Sequence, residues 1–128
     1  MIYIYEKYSR ECDYRKTGNR LLANDWKLAE LNKMYLSREE MCRYKCVLKT
    51  LSELEQEELL VLAIRYYKSD KVRSYGAIVP IPYHKAAEMM GLSRHKYMDL
   101  ESRALRRFGE LAVKNWEKDV SNKEFLIE

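Results

Sequence analysis

The sequence predicts an all-α protein: a compact helical domain with a C-terminal helix-turn-helix and a long last helix. Three observations carry that expectation. The 128 residues include only 4 Gly and 2 Pro, which leaves little room for a many-turned β fold. Apolar residues recur at steps of three and four, the period of a helix with one buried face. Two such patterns meet at a single glycine, in Tyr83-His84-Lys85-Ala86-Ala87-Glu88-Met89-Met90-Gly91-Leu92-Ser93-Arg94.

The totals set bounds. A chain of 128 residues is one domain by default and long enough to bury a sizeable core. With 47% apolar and 34% charged residues it suits a folded, soluble protein. No apolar run approaches the ~20 residues of a membrane span. Met1-Ile2-Tyr3-Ile4-Tyr5-Glu6-Lys7 lacks the basic-then-apolar order of a signal peptide, so a cytoplasmic location is expected. Three cysteines, an odd number, read as reduced thiols. Cys42 and Cys46 share a helical face, and with Cys12 and a histidine they could make a zinc site. Neither His84 nor His95 has the paired spacing of a zinc finger, so core or half-buried thiols are expected, with no metal and no cofactor.

In chain order, Ile2-Tyr3-Ile4-Tyr5 reads as an extended arm or a helix start. Residues 9–20, with Arg15, Lys16, Gly18 and Arg20, read as a polar loop or frayed helix. From about 21 to 35, Leu21, Leu22, Trp26, Leu28, Ala29, Leu31 and Met34 form an apolar helical stripe. Ser37-Arg38-Glu39-Glu40 has the form of a capping box. The following helix, to about 49, should face inward through Met41, Tyr44 or the Lys45 stem, Leu48 and Leu51. Ser52-Glu53-Leu54-Glu55 repeats the capping signal, and the acidic residues to Glu58 suit the positive end of a helix dipole. The next helix, through Leu59 to Tyr67, is apolar on most sides and reads as the central core helix. Gly76, Pro80 and Pro82 mark a long connection whose Ala77-Ile78-Val79-Pro80-Ile81 packs on the core or makes a short wing.

The helix-turn-helix follows. Ala86-Ala87 lets another helix sit close to a support helix at about 83–90. Gly91 suits a turn with positive φ, and Ser93 can cap the next helix. In that helix Tyr97, Leu100, Ala104, Phe108 and Leu111 make the buried face, so Arg94, His95, Met98, Asp99 and Ser102 should point away. That is the plan of a motif that reads DNA in the major groove. Residues 94–107 carry five basic against two acidic side chains, a local concentration within a net charge of +4. Leu111, Ala112, Val113 and Trp116, beyond what groove reading requires, close the core or form a homodimer seam. Residues 121–128 read as a polar tail ending in Phe125-Leu126-Ile127. No Gly-rich phosphate loop or nucleophile motif points to an enzyme.

Leu51-Ser52-Glu53-Leu54-Glu55-Gln56-Glu57-Glu58-Leu59-Leu60 through Arg65-Tyr66-Tyr67, then Ala86-Ala87, Gly91-Leu92-Ser93-Arg94 and Arg103-Ala104-Leu105-Arg106-Arg107-Phe108, resembles region 4 of sigma factors. The layout is similar to that of small phage late-transcription regulators of the ArpU and RinA type. The resemblance covers roughly residues 50–112. The connection from 68 to 83 is longer than in sigma factors, and Asp99 would repel phosphate unless it accepts from a cytosine amino group. The chain is expected to divide into a helical N-terminal extension at 1–49 packed on the rest, a sigma-region-4-like domain at 50–118 and a tail at 119–128. The resemblance implies double-stranded DNA and RNA polymerase as partners.

The expected function is therefore sequence-specific, double-stranded DNA-binding transcription regulation at a promoter. Arg94, His95, Met98, Asp99 and Ser102 would face base edges. Lys85, Ser93, Lys96, Arg103, Arg106 and Arg107 would hold phosphates. Two alternatives stand beside it. One is a protein-interaction module that binds polymerase or another regulator without DNA, which 11 tyrosines would favour. The other is the DNA-recognition small subunit of a phage packaging enzyme.

Overall fold

A computed structural model describes residues 13–121, and all statements of structure refer to these. They form helices and connections with no β-strand; one isolated antiparallel bridge joins Val72 and Ile78. Helix α1 is Tyr14–Asp25, α2 is Lys27–Leu31, and a 3-10 turn follows at Lys33–Tyr35. Helix α3 is Arg38–Ser52 and α4 is Gln56–Leu62, which runs into a π-helical turn at Ala63–Tyr67. After the long connection come α5, Tyr83–Met90, and α6, Arg94–Ser121.

Helix α1 begins at Tyr14, inside the segment the sequence marks as loop or frayed helix. Asp13 caps it, its carboxylate accepting from the Lys16 amide at 3.2 Å. What the local sequence conceals is the partner. Gly18 and Gly109 lie where α1 crosses α6, and a Cβ on Gly109 would stand 1.9 Å from the Tyr14 carbonyl oxygen. Glycine in a helix usually weakens it by about 1 kcal/mol. Here it lets two backbones touch, and Leu21 and Leu22 then reach Leu105, Phe108 and Ala112 in one core.

The expected single helix over 21–35 is broken at Trp26, whose backbone (φ −114°, ψ −95°) leaves the helical region. The Trp26 indole turns into the core beside the Tyr67 ring, with centroids 5.1 Å apart. Leu31 and Met34, expected on the buried stripe, are instead 70% and 91% exposed, as is Tyr35 at 85%. The break changes the phase of the stripe and sends them outward.

Helix α3 starts on the expected capping box. Ser37 Oγ accepts from the Glu40 amide at 3.1 Å, and Glu40 accepts from the Ser37 amide at 2.7 Å. Its inward face differs from the expected one. Cys42, Cys46, Val47 and Thr50 are buried with Tyr44 and Leu51, whereas Leu48 is exposed and Met41 half-buried. Thiols pack as small apolar groups, and Arg43 is drawn inward by Asp25, at 3.3 Å. Burial pushes the Asp25 carboxyl up to about 6, against the pull of the Arg43 guanidinium. Cys12 and the segment 2–5 lie outside the described residues, as does the tail beyond Ser121.

The second capping signal sits three residues later than expected. Ser52 ends α3, its hydroxyl donating to the Lys49 carbonyl at 2.6 Å. Glu55 caps α4 instead, and Glu58 accepts from the Glu55 amide at 2.9 Å. Val61, Leu62, Ile64 and Tyr66 are buried as a core helix requires, while Leu60 is half exposed. The central position belongs to α6, which packs against α1, α3, α4 and α5. Its Ala112, Val113 and Trp116 are buried within the same chain, so they close the core. The connection does both things the sequence allows. Residues 72–78 turn back through Gly76 (φ +95°) as a short wing, while Ala77 and Ile78 pack on the core. The Ile78 amide also donates to the Ala23 carbonyl at 3.0 Å, pairing an oxygen that the end of α1 would leave open.

Candidate nucleic-acid interface

Helix α5 starts directly after Pro82, whose fixed φ is compatible with a helix entry and whose carbonyl accepts from the Ala86 amide. Ala86 and Ala87 are buried against Val61, Ile64 and Tyr97, with no side-chain bulk to hold the helices apart. The helix ends at Gly91, which has φ +67°, and the Leu92 amide closes back on the Ala87 carbonyl at 2.9 Å. Ser93 then caps α6, accepting from the Lys96 amide at 3.2 Å. Local chemistry thus fixes a helix, a three-residue turn and a second helix, with the residues the sequence assigned to each.

The inner side of α6 is held by polar anchors as well as apolar ones. Tyr97 is fully buried and its hydroxyl donates to the Val61 carbonyl at 2.6 Å; burial pushes its pKa up. Glu101, one turn on, is also fully buried. Arg65 meets it at 2.8 Å, Tyr83 donates to it at 3.2 Å, and Arg15 stands 3.7 Å away. The Arg65 guanidinium lies 4.0 Å from the Tyr83 ring centroid and also donates to the Ile81 carbonyl. The π-helical turn carries Arg65 to this point. One carboxylate therefore ties α1, the π-turn, α5 and α6 together.

The sequence counted Glu101 as a surface charge offsetting the basic run. It is not on the surface, because it lies four residues from both Tyr97 and Leu105 on the buried stripe. That spacing was the signal that could have found it. Between 94 and 106 the exposed charges are therefore Arg94, Lys96, Arg103 and Arg106 against Asp99 alone. Among the described residues Arg94, Lys96 and Arg106 make no ion pair.

Of the residues expected to face bases, Arg94, His95 and Asp99 are exposed, whereas Met98 and Ser102 are half-buried. At ~100° per residue, His95, Asp99, Ser102 and Arg106 fall along one side of α6, while Arg94 and Met98 lie roughly 100–140° round from Asp99. Of the residues expected to hold phosphate, Lys85, Ser93, Lys96, Arg103 and Arg106 are exposed. Arg107 is turned toward α4 and bound by Glu58 at 3.0 Å. His84 is exposed on α5. No group of His, Cys, Asp and Glu among the described residues could hold a metal ion, and no described helix is long and apolar enough to cross a membrane.

No family model matches the chain, and no curated protein or solved structure is significantly similar to it.

Proposed function

We propose that the protein is a sequence-specific double-stranded DNA-binding regulator of transcription that presents the first half of α6 to a major groove. The observation that carries this reading is the asymmetry of that half-helix. Its inner side is locked by Tyr97 and Glu101, while its outer side offers His95, Lys96, Asp99, Arg103 and Arg106 to solvent behind a tight turn. A helix anchored on its inner side, whose outer basic side makes no ion pair among the described residues, has the shape and charge a groove accepts. The resemblance to sigma region 4, and to phage regulators that act with RNA polymerase, supports the same reading.

The test is fluorescence anisotropy with a labelled duplex at several salt concentrations. Affinity should fall with a log–log slope of about −0.9 per phosphate contacted. Arg106→Ala should weaken all duplexes alike and flatten that slope. Asp99→Ala, on the outer side itself, should cost about 1–3 kcal/mol of discrimination on a selected site. No binding by the parent at low salt, or mutants that bind like the parent, would remove the reading.

A second reading, a module that binds polymerase or another regulator without DNA, has its own observation. Leu31, Met34 and Tyr35 are large side chains that are 70%, 91% and 85% exposed on one short segment. Co-purification with polymerase in the absence of DNA, abolished by Met34→Glu, would favour it.

A further inference from the structure

A cleft of about 510 Å³ opens between α1, the π-turn and the wing. That is the size range of small-molecule sites, roughly 300–1,000 Å³. Its walls carry Arg15, Lys16 and Arg20 from α1, Arg65 from the π-turn and Arg73 from the wing, and among the described residues no carboxylate lines it. Three separate elements thus contribute cationic residues to the lining of one concavity. Glu101 binds Arg15 and Arg65, Asp13 meets Lys16 at 3.6 Å, and Arg20 is engaged as well. Arg73 makes no ion pair among the described residues. Like charges crowded round a concavity repel one another, and an anion seated between them relieves that repulsion.

The floor differs from the walls. Ala23, Ala77, Ile78 and Leu105 are buried core residues whose surfaces the cleft reaches. Two amides flank that apolar patch in complementary states. The buried Tyr66 hydroxyl donates to Asn19 Oδ1 at 2.5 Å, which leaves the Asn19 NH2 as a donor. Asn24 gives its NH2 to the Arg20 carbonyl at 2.8 Å, which leaves its oxygen as an acceptor. Tyr75, on the wing, adds a largely exposed ring to the lining. Cationic walls, an apolar floor, a donor, an acceptor and an aromatic face together match one chemical class: a flat heterocycle carrying phosphates.

We propose that this cleft binds a nucleoside polyphosphate, phosphates on the arginines and base over the Leu105–Ile78 floor. The proposal is independent of the reading of α6. Leu105 lies roughly 100–160° round the helix from Asp99, Arg103 and Arg106, so a duplex on that outer face leaves the cleft empty.

The experiment is calorimetric titration of the full chain with each of the four common ribonucleoside triphosphates, at physiological salt and without divalent cations. At least one should bind saturably. Inorganic tripolyphosphate, which leaves the floor uncovered, should compete at least about tenfold less well. Arg73→Glu should weaken the nucleotide at least about tenfold, since it puts a repelling charge on an exposed wing position, while the melting temperature and duplex affinity stay at parent values. Lys16→Glu, from the opposite wall, should do the same. Absence of saturable binding by all four nucleotides overturns the proposal. So does tripolyphosphate competing equally, which would make the cleft a bare polyanion patch. Loss of duplex affinity in Arg73→Glu without nucleotide binding would assign the cleft to the DNA backbone and overturn it too.

Discussion

Replacing Gly109 by alanine sets two effects of the same methyl group against each other. In an isolated helix alanine gains about 1 kcal/mol over glycine. In this fold the new Cβ would lie 1.9 Å from the Tyr14 carbonyl oxygen, 2.7 Å from its carbon and 3.2 Å from the Gly18 nitrogen. All three are backbone atoms, so no side chain can swing aside. Ordinary contact begins near 3.4 Å, so α1 and α6 must part by about 1.5 Å there. A gap of ~0.5–1 Å already forfeits a quarter to a half of a van der Waals contact. The seam that opens holds Leu21, Leu22, Leu105, Phe108 and Ala112. A loss of roughly 3–5 kcal/mol follows from overpacking plus weakened contacts. After the gain in propensity the net cost is ~2–4 kcal/mol of a stability that is typically ~5–15. Urea unfolding followed by far-ultraviolet circular dichroism should show the midpoint falling by ~1–2 M, for a slope near 2 kcal/mol/M. Gly76→Ala is the control: it has open space round it but φ +95°, so it should lose only about 1 kcal/mol. If Gly109→Ala unfolds at or above the parent's midpoint, the helices do not touch at this crossing.

Other outcomes follow from the buried polar groups and caps. Glu101→Leu leaves the Arg65 guanidinium without its carboxylate and should cost about 3–5 kcal/mol; adding Arg65→Met should restore much of that, and a double mutant no better than the single would dissolve the pair. Asp25 has a folded-state pKa, about 6, above its ordinary 3.8. The folded state therefore binds more protons between those values, and the Asp25 contribution to stability falls as pH rises through that window, by at most about 3 kcal/mol. The difference in urea midpoint between the parent and Asp25→Asn, measured from pH 4 to 7, should widen in the variant's favour; a constant difference would refute the shift. Ser37→Ala removes one arm of the α3 capping box and should cost about 1 kcal/mol in thermal unfolding.

The elements legible in the sequence are those written by local chemistry. Gly91, Ser93 and the Ser37–Glu40 box each satisfy backbone groups within a few residues, so the turn, α5 and the starts of α3 and α6 could be read directly. The elements misread depend on partners far along the chain. Gly18 looks like a loop residue until Gly109 is set against it. Arg43 looks solvent-facing until Asp25 claims it, and the inward face of α3 turns with it. Leu31 and Met34 keep a helical period that Trp26 interrupts. Within the candidate site, the exposure of Arg94, His95 and Asp99 followed from the helical period, whereas Met98 and Ser102 are half-buried. The burial of Glu101 is signalled by its spacing from Tyr97 and Leu105, but its counter-ion, Arg65 on the π-turn, comes from too far along the chain to be read locally.

The Glu101 junction has a consequence for whatever docks on the outer side of α6. Rotating α5 or α6 against α1 would pull a carboxylate away from Arg65, Tyr83 and Arg15 at once. On the proposed reading, the outer side of α6 would meet a partner as a fixed template, and a poor match would be rejected by misfit rather than accommodated. Selectivity would then come from shape held in advance, at little entropic cost on docking.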